Sequence, residues 1–459
     1  MIAVRSFAHQ DVAVFGLARS GLAAIRALKD GGARVYAGDD KESAFAAAEA
    51  AGAHVASFSE WPWERIKALV LSPGVPLTHP APHAVVARAA AAKVPVFGDM
   101  ELFAREIGAH APVIAVTGTN GKSTTTALIG HVLEALGHKA EIGGNIGKPA
   151  LELAPPAART VYVLEVSSYQ IDLSPGLKPA MGVLTNITPD HIERHGSLDA
   201  YATLKGRLIE QSVTAAIGID DSRSAELFTR LSAAGKSAVP VSVGKVLGRG
   251  VFVLDGVLHD SQGGRADRIC DLNDAAHLRG AHNWQNAALA YAAAKPWARD
   301  GRALAGALLD FPGLAHRIED VGRIGKVRFV NDSKATNADA AERALLCFDD
   351  IFWIAGGRAK QGGIESLRRL WPRIRKAYLI GEAASDFSRT LEGQVPFEMS
   401  GTLETAVAQA LADAARSEAG SPVVLLSPAC ASFDQFNDFE QRGDAFRAAV
   451  ARLAMKEAS

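Results

Sequence analysis

The run Thr117-Gly118-Thr119-Asn120-Gly121-Lys122-Ser123-Thr124-Thr125 has the residue types needed to hold a polyphosphate. Glycines let backbone N–H groups turn inward, and a helix N-terminus adds partial positive charge. Lys122 could reach β- and γ-phosphates, and the Ser123 hydroxyl could take a Mg²⁺ coordination position. The spacing departs from the common Gly-x-x-x-x-Gly-Lys-Ser/Thr form, with only two residues between Gly118 and Gly121. An ordinary Gly-rich turn with an exposed lysine is the competing interpretation. Its context argues against that, because the buried run Val113 to Val116 precedes it and a helical pattern to Leu136 follows. Mg²⁺ needs hard oxygen ligands, and Glu165, ending the apolar run Val161 to Leu164, is placed to supply one. His191, in Asn186-Ile187-Thr188-Pro189-Asp190-His191, is a second candidate, although a lone histidine after a strand is more often structural.

The elements that must position these groups alternate between strands and helices in three stretches, giving an α/β class with mainly parallel sheets. The first has strands at Val12 to Phe15, Arg34 to Ala37 and Ala68 to Leu71, with a helix from about Ser20 stopped at Gly31-Gly32. The second adds Met181 to Leu184. The third has Val327 to Val330, Ile351 to Ile354, Ala377 to Ile380 and Val423 to Leu426. Polar, glycine-bearing segments follow these strands, where ligands of parallel sheets collect. Domain borders are expected at 1–97, 98–312 and 313–459. The chain has 459 residues, 48% of them hydrophobic, and a net charge of −1, which excludes affinity built on a basic nucleic-acid footprint. Three scattered cysteines fit a reducing cytoplasm. Met1 to Gln10 holds Arg5 and His9 and no apolar core, and no apolar run approaches a membrane span, so neither a signal peptide nor membrane insertion is expected.

Gly-Thr-Asn-Gly-Lys-Ser resembles the phosphate loop of the Mur ligases and of folylpolyglutamate synthase, and the resemblance runs along nearly the whole chain. It implies three domains: an N-terminal Rossmann-like domain for a UDP substrate, a central P-loop-type ATPase domain, and a C-terminal dinucleotide-fold-like domain. Leu164-Glu165-Val166-Ser167-Ser168-Tyr169-Gln170 and Asp190-His191 are similar to the family's glutamate and Asp-His motifs, so two Mg²⁺ sites would use Ser123, Glu165 and His191. Lys205 falls where the family carries a CO₂-derived carbamate, an anionic ligand in place of an ammonium.

By the same resemblance, ATP would be held by Gly118, Thr119, Asn120, Gly121, Lys122, Ser123 and Thr124. Asn283 and Asn286, in a His-Asn-x-x-Asn segment, and Arg317 and Asp332 would complete that site. Gly16-Leu17-Ala18-Arg19-Ser20-Gly21 is a degenerate dinucleotide fingerprint, with alanine where a nicotinamide site wants glycine. The resemblance assigns Leu17, Ala18, Arg19, Asp39 and Asp40 to uridine, and Ser72, Gly74 and Asn145 to the diphosphate and reacting end.

Lys334, in Asn331 to Asn337, corresponds to a catalytic lysine. The run Leu426 to Phe436 with Phe439 to Gly443 resembles the family's D-glutamate-adding member, in which Thr336, Lys360, Ser432 and Phe439 would hold the amino acid. The diaminopimelate-type Asp-Asn-Pro-Arg motif is absent. The implied reaction joins D-glutamate to UDP-N-acetylmuramoyl-L-alanine with ATP through an acyl phosphate, in a monomer, with Lys122, Lys334, His191 and Lys205 catalytic. Another Mur ligase or a folylpolyglutamate synthase stays open as the alternative, as does a nucleotide-binding regulator without turnover. Arg358 adds a charge whose partner the sequence does not name.

Overall fold

The computed structural model describes residues 1–459 except Ala109, Lys360, Gln361, Ala419 and Ser459, with Glu457 and Ala458 described by backbone alone. The chain forms two compact units, one of residues 1–275 with 281–311, the other of 276–280 with 312–459.

The first unit contains two sheets. The smaller runs His54–Val55, Arg34–Gly38, Asp11–Phe15, Ile66–Leu71, Val96–Phe97, with every pairing parallel. Val12, Ala13 and Val14 are fully buried, as a strand covered on both faces must be. Helix Arg19–Asp30 packs against it through Ala24, Ile25 and Leu28. Strand order reverses between Asp11–Phe15 and Ile66–Leu71, so the turns at Gly16 and Ser72 flank one crevice.

The larger sheet has nine strands, in the order Asp267–Asp271, Val257–Asp260, Val251–Leu254, Ala238–Val243, Thr214–Gly218, Met181–Leu184, Val113–Thr117, Thr160–Glu165, Lys139–Gly144. Val113–Thr117 lies between Met181–Leu184 and Thr160–Glu165, parallel to both. Its carboxyl end is therefore the switch point, and the phosphate-loop sequence begins there.

The sheet is mainly parallel, as expected; the three edge strands from Val251 to Asp271 pair antiparallel with one another, while Val251–Leu254 joins Ala238–Val243 in parallel. Their cause is local: Asp255 and Gly256 both take positive φ (49° and 85°), the geometry of a two-residue hairpin turn. The Asp-Gly pair between Val-Phe-Val-Leu and Val-Leu-His was the available signal.

In the second unit, six strands order as Glu319–Ile324, Val327–Asn331, Val423–Leu426, Ile351–Gly356, Ile374–Ile380, Phe397–Gly401. All are parallel except the first pair, an antiparallel hairpin. Apolar clusters cover both faces: Trp353, Leu367 and Phe387 on one, Phe329, Tyr378 and Phe446 on the other. Among the described residues no helix is long and apolar enough to cross a membrane.

Candidate active site

The loop after Val113–Thr117 is held shut by the next strand's end. Thr119 N–H donates to the Asn186 carbonyl (2.8 Å), Asn120 N–H donates to the Asn186 side-chain oxygen (3.0 Å), and the Thr185 hydroxyl donates to the Asn120 carbonyl. Side chains cannot replace the loop glycines. A Cβ on Gly118 would overlap the Thr185 hydroxyl, and one on Gly121 would overlap the Asn286 amide oxygen, with both residues at positive φ. Lys122 opens helix Lys122–Ala135, and its ammonium donates to the carbonyls of Gly118 (3.1 Å) and Thr119 (2.8 Å). Ser123 and Thr124, in the same first turn, are buried.

Helix Leu198–Gln211 begins at a Ser197 cap and brings Tyr201 and Lys205, four residues apart and so on one face, against this loop. The Tyr201 hydroxyl bonds to the Thr119 hydroxyl (3.1 Å). Lys205 Nζ donates to the Gly118 carbonyl (2.8 Å) and lies 4.6 Å from the Tyr201 ring centre. At 1% exposure, Lys205 is one of the least accessible lysines a protein can carry. Burial, and then the Lys122 ammonium nearby, push its pKa well below the ordinary lysine value; Asp190 and Glu165 oppose that shift. The neutral amine is thereby favoured.

Glu165, buried at the end of its strand, accepts from the Asn145 amide (2.7 Å). The following residues start helix Ser168–Asp172 with a Ser167–Gln170 capping box, which presents Tyr169. The Tyr169 hydroxyl bonds His191 Nδ1 at 3.0 Å, and His191 sits at positive φ (52°) with Asp190 3.4 Å from Nε2. His195 bonds the Ser168 hydroxyl (2.9 Å), and its ring lies tilted against those of Tyr169 and Tyr201, 5.5 Å from each centre. Burial, with His191 beside it, lowers the His195 pKa to about 4 and keeps the ring neutral. Tyr169, His195 and Tyr201 carried no role in the sequence argument. The i,i+4 spacing to Lys205 was a sufficient signal for Tyr201 only.

Among the described residues no three His, Cys, Asp or Glu side chains converge as a metal cage. That is compatible with Mg²⁺, which keeps waters and takes few protein ligands when substrate phosphates supply the rest. Asn286 receives the Thr125 hydroxyl (3.2 Å) and donates to Asn283 (3.2 Å), so both asparagines on helix Ala281–Ala294 stand against the loop's helix.

The other crevice of this unit holds the residues expected at uridine and diphosphate. Leu17 N–H donates to Asp39, while the Leu17 side chain packs in the core. Asp39 also accepts from Lys41 N–H (2.9 Å), and Asp40 faces His83 (3.2 Å). Arg19 donates to the Gly147 carbonyl and the Ser20 hydroxyl meets that of Ser72. A cavity of about 320 Å³ opens here, bordered by Ala18, Arg19, Ser72, Gly74, Asp99 and Asn145. Asp39 and Asp40 do not border it. Asn145 belongs to both clusters, linking this cavity to Glu165.

In the second unit Asp332 is buried after strand Val327–Asn331, accepting from the Ser427 hydroxyl (2.8 Å) and Ile318 N–H (3.2 Å), with Arg317 in electrostatic reach. Burial raises its pKa to about 7. Lys334 Nζ lies 5.2 Å from the Phe439 ring centre, and Thr336 N–H donates to the Lys334 carbonyl. Ser432 is buried in the turn after Val423–Leu426. Phe439 starts the last helix, so its N–H is one of the first-turn donors with no partner inside the helix. Buried Arg442 ties this region together by donating to Ser333 and to the Cys430 carbonyl. Lys360 lies outside the described residues. The partner of Arg358 is Glu382, in a two-pronged exposed pair at 3.1 Å each.

A model of the Mur ligase middle domain matches residues 116–294. Across 460 residues the chain is 54% identical to UDP-N-acetylmuramoylalanine–D-glutamate ligase of Caulobacter sp. (strain K31), covering 98% of each chain. It is 52% identical to the ligase of the same name from Brucella abortus (strain 2308), covering 99% of this chain and 98% of that one. Among solved structures, UDP-N-acetylmuramate–alanine ligase from Thermotoga maritima superposes with a TM-score of 0.60 at 18% identity, over 98% of this chain and 100% of that one, a likeness of fold. With more than half of its residues matched along nearly its full length, the chain belongs to the Mur ligase family.

Proposed function

We propose that this protein joins D-glutamate to UDP-N-acetylmuramoyl-L-alanine at the expense of ATP, acting as a monomer in the cytoplasm. The observation that carries the chemistry is the phosphate loop. Its backbone is locked by Asn186 and Thr185, and two lysine amines converge on the Gly118 carbonyl. Polyphosphate oxygens arriving there would draw Lys122 from carbonyls to phosphate. The substrates are those in the names of the full-length relatives.

The three functional domains are taken as 1–97 for the UDP substrate, 98–312 for ATP and 313–459 for D-glutamate. Gly118 to Thr124, Asn283 and Asn286 would bind ATP, and Arg317 and Asp332 are the further nucleotide contacts that the family resemblance implies. Ser123, Glu165, His191 and Lys205, the last as its carbamate, would hold Mg²⁺. Bound Mg²⁺ supplies neutralisation of phosphate charge. Burial pushes the Lys205 pKa toward the neutral amine, the form that can add to CO₂, and this direction supports the carbamate reading.

In the reaction the alanyl carboxylate attacks the γ-phosphorus, ADP leaves, and an acyl phosphate forms. The D-glutamate amine then adds to the acyl carbon, loses a proton, and expels phosphate to leave the amide. Lys122 would stabilise charge on the transferred phosphoryl group and Lys334 charge at the acyl end, so that positioning and electrostatics do most of the work. Arg19, Ser72, Gly74 and Asn145 would seat the UDP substrate, with Leu17, Ala18, Asp39 and Asp40 toward uridine. Thr336, Lys360, Ser432 and the Phe439 N–H would receive the two carboxylates of D-glutamate.

The test is phosphate release from ATP with UDP-N-acetylmuramoyl-L-alanine and, in turn, D-glutamate, L-glutamate, L-alanine and diaminopimelate. Release that requires the acceptor and D-glutamate together is expected. No release, or equal rates with another amino acid, overturns the assignment.

A further inference from the structure

Asp99 is the first residue of helix Asp99–Ile107 and is 3% exposed, yet neither of its carboxyl oxygens has a hydrogen-bond partner among the described residues. Buried acids without partners are rare enough to need a reason. Two residues along the same helix, Glu101 is also buried but fully engaged, accepting from Gly176 N–H (2.7 Å) and Arg105 Nε (3.1 Å). An acid that served only the helix dipole could do so from an exposed position. Asp99 instead borders the 320 Å³ cavity shared with Arg19, Ser72, Gly74 and Asn145. Burial lifts its pKa to about 6; the N–H groups of Asp99 and Met100 lie near enough to hold back a larger rise but do not meet either oxygen in hydrogen-bond geometry.

A carboxyl in that position asks for a donor. Diphosphate oxygens offer only lone pairs and repel it. The muramyl arm offers hydroxyls and amide N–H groups. We propose that Asp99 is a specificity-determining residue that accepts a hydroxyl or amide hydrogen from the substrate's sugar–peptide arm, selecting the complete muramyl nucleotide over UDP. This rests on the reading that the cavity holds UDP-N-acetylmuramoyl-L-alanine.

The full-length Asp99→Ala and Asp99→Asn proteins, with wild type, are titrated calorimetrically with UDP-N-acetylmuramoyl-L-alanine and separately with UDP, and their thermal midpoints are measured. Losing a hydrogen bond to a charged acceptor should weaken the muramyl nucleotide by roughly ten- to a hundredfold in Asp99→Ala, with a smaller loss in Asp99→Asn. UDP affinity should stay within about twofold of wild type. The Asp99→Asn midpoint should equal or exceed that of wild type, because an unpaired acid has been removed. Should Asp99→Ala not fold, Asp99→Asn carries the comparison. Equal losses for both ligands, or no loss for either, overturn the role of Asp99. Failure of wild type to bind the muramyl nucleotide overturns the functional reading and this inference with it.

Discussion

Two parallel strands in this chain bury groups of opposite charge type at their carboxyl ends. After Val113–Thr117 the first unit buries a base, Lys205, against a loop carbonyl. After Val327–Asn331 the second unit buries an acid, Asp332, against a hydroxyl and a backbone N–H. Desolvation pushes the lysine's pKa down and the aspartate's up, so both groups move toward neutrality. The comparison teaches that parallel-sheet topology fixes only where a ligand sits. Which charge it must bring is set by one or two side chains that neighbouring elements carry to that end of the sheet.

The most drastic way to break the contrast is to remove the exchangeable cation. Lys122→Ala should reduce phosphate release by roughly a hundred- to a thousandfold, since loss of one preorganised charge donor costs two to three orders of magnitude in kcat. Its fold should persist, because the carbonyls of Gly118 and Thr119 that the Lys122 ammonium meets can be served by water instead. A variant retaining a tenth of wild-type turnover would remove Lys122 from the chemistry.

Next in size is Lys205. Lys205→Arg keeps a fixed charge but cannot become neutral or form a carbamate, and turnover should fall by about a hundredfold. Lys205→Met should also be inactive, yet melt at or above wild type, because a buried amine's desolvation cost is gone. An active arginine variant would mean that the site needs a cation there, reversing the interpretation.

Asp332 gives a smaller effect with a sign of its own. Its folded pKa, about 7, lies above its unfolded value near 3.9. The folded state therefore binds the proton more tightly. The stability contribution is fully present below pH 3.9 and is lost as pH rises through 7. Relative to Asp332→Asn, whose profile should be flat in this respect, wild type should lose on the order of a few kcal/mol between pH 4 and 8. Parallel denaturation curves across that range would show that Asp332 is not held as an acid.

How much of this was legible in the sequence follows from which interactions are local. Val12 to Phe15, Met181 to Leu184 and Val423 to Leu426 read correctly because a strand buried on both faces is a short apolar run. The phosphate loop read correctly because strand, glycines and helix are contiguous. The edge strands from Val251 to Asp271 were missed although Asp255-Gly256 announced their hairpin. Asp99 escaped because its isolation depends on a cavity assembled from residues as distant as Arg19 and Asn145. Tyr169 and His195 were equally invisible, being partners of His191 and Ser168 only in three dimensions.

Arg358 supplies the control for the comparison. It follows the glycine turn after Ile351–Gly356, close in sequence to the expected amino-acid site, and its charge invited a functional role. Its guanidinium is satisfied by Glu382 on the surface, where water screens the pair and long side chains lose entropy in forming it. A cation so paired presents little net charge to an incoming carboxylate. Arg358→Ala and Glu382→Ala should therefore leave the thermal midpoint unchanged within error, and the KM for D-glutamate within about twofold. A rise of about tenfold or more in that KM for Arg358→Ala, unmatched in Glu382→Ala, would place Arg358 at the amino acid. It would also show that exposure alone does not separate the working charges of this fold from its surface ones.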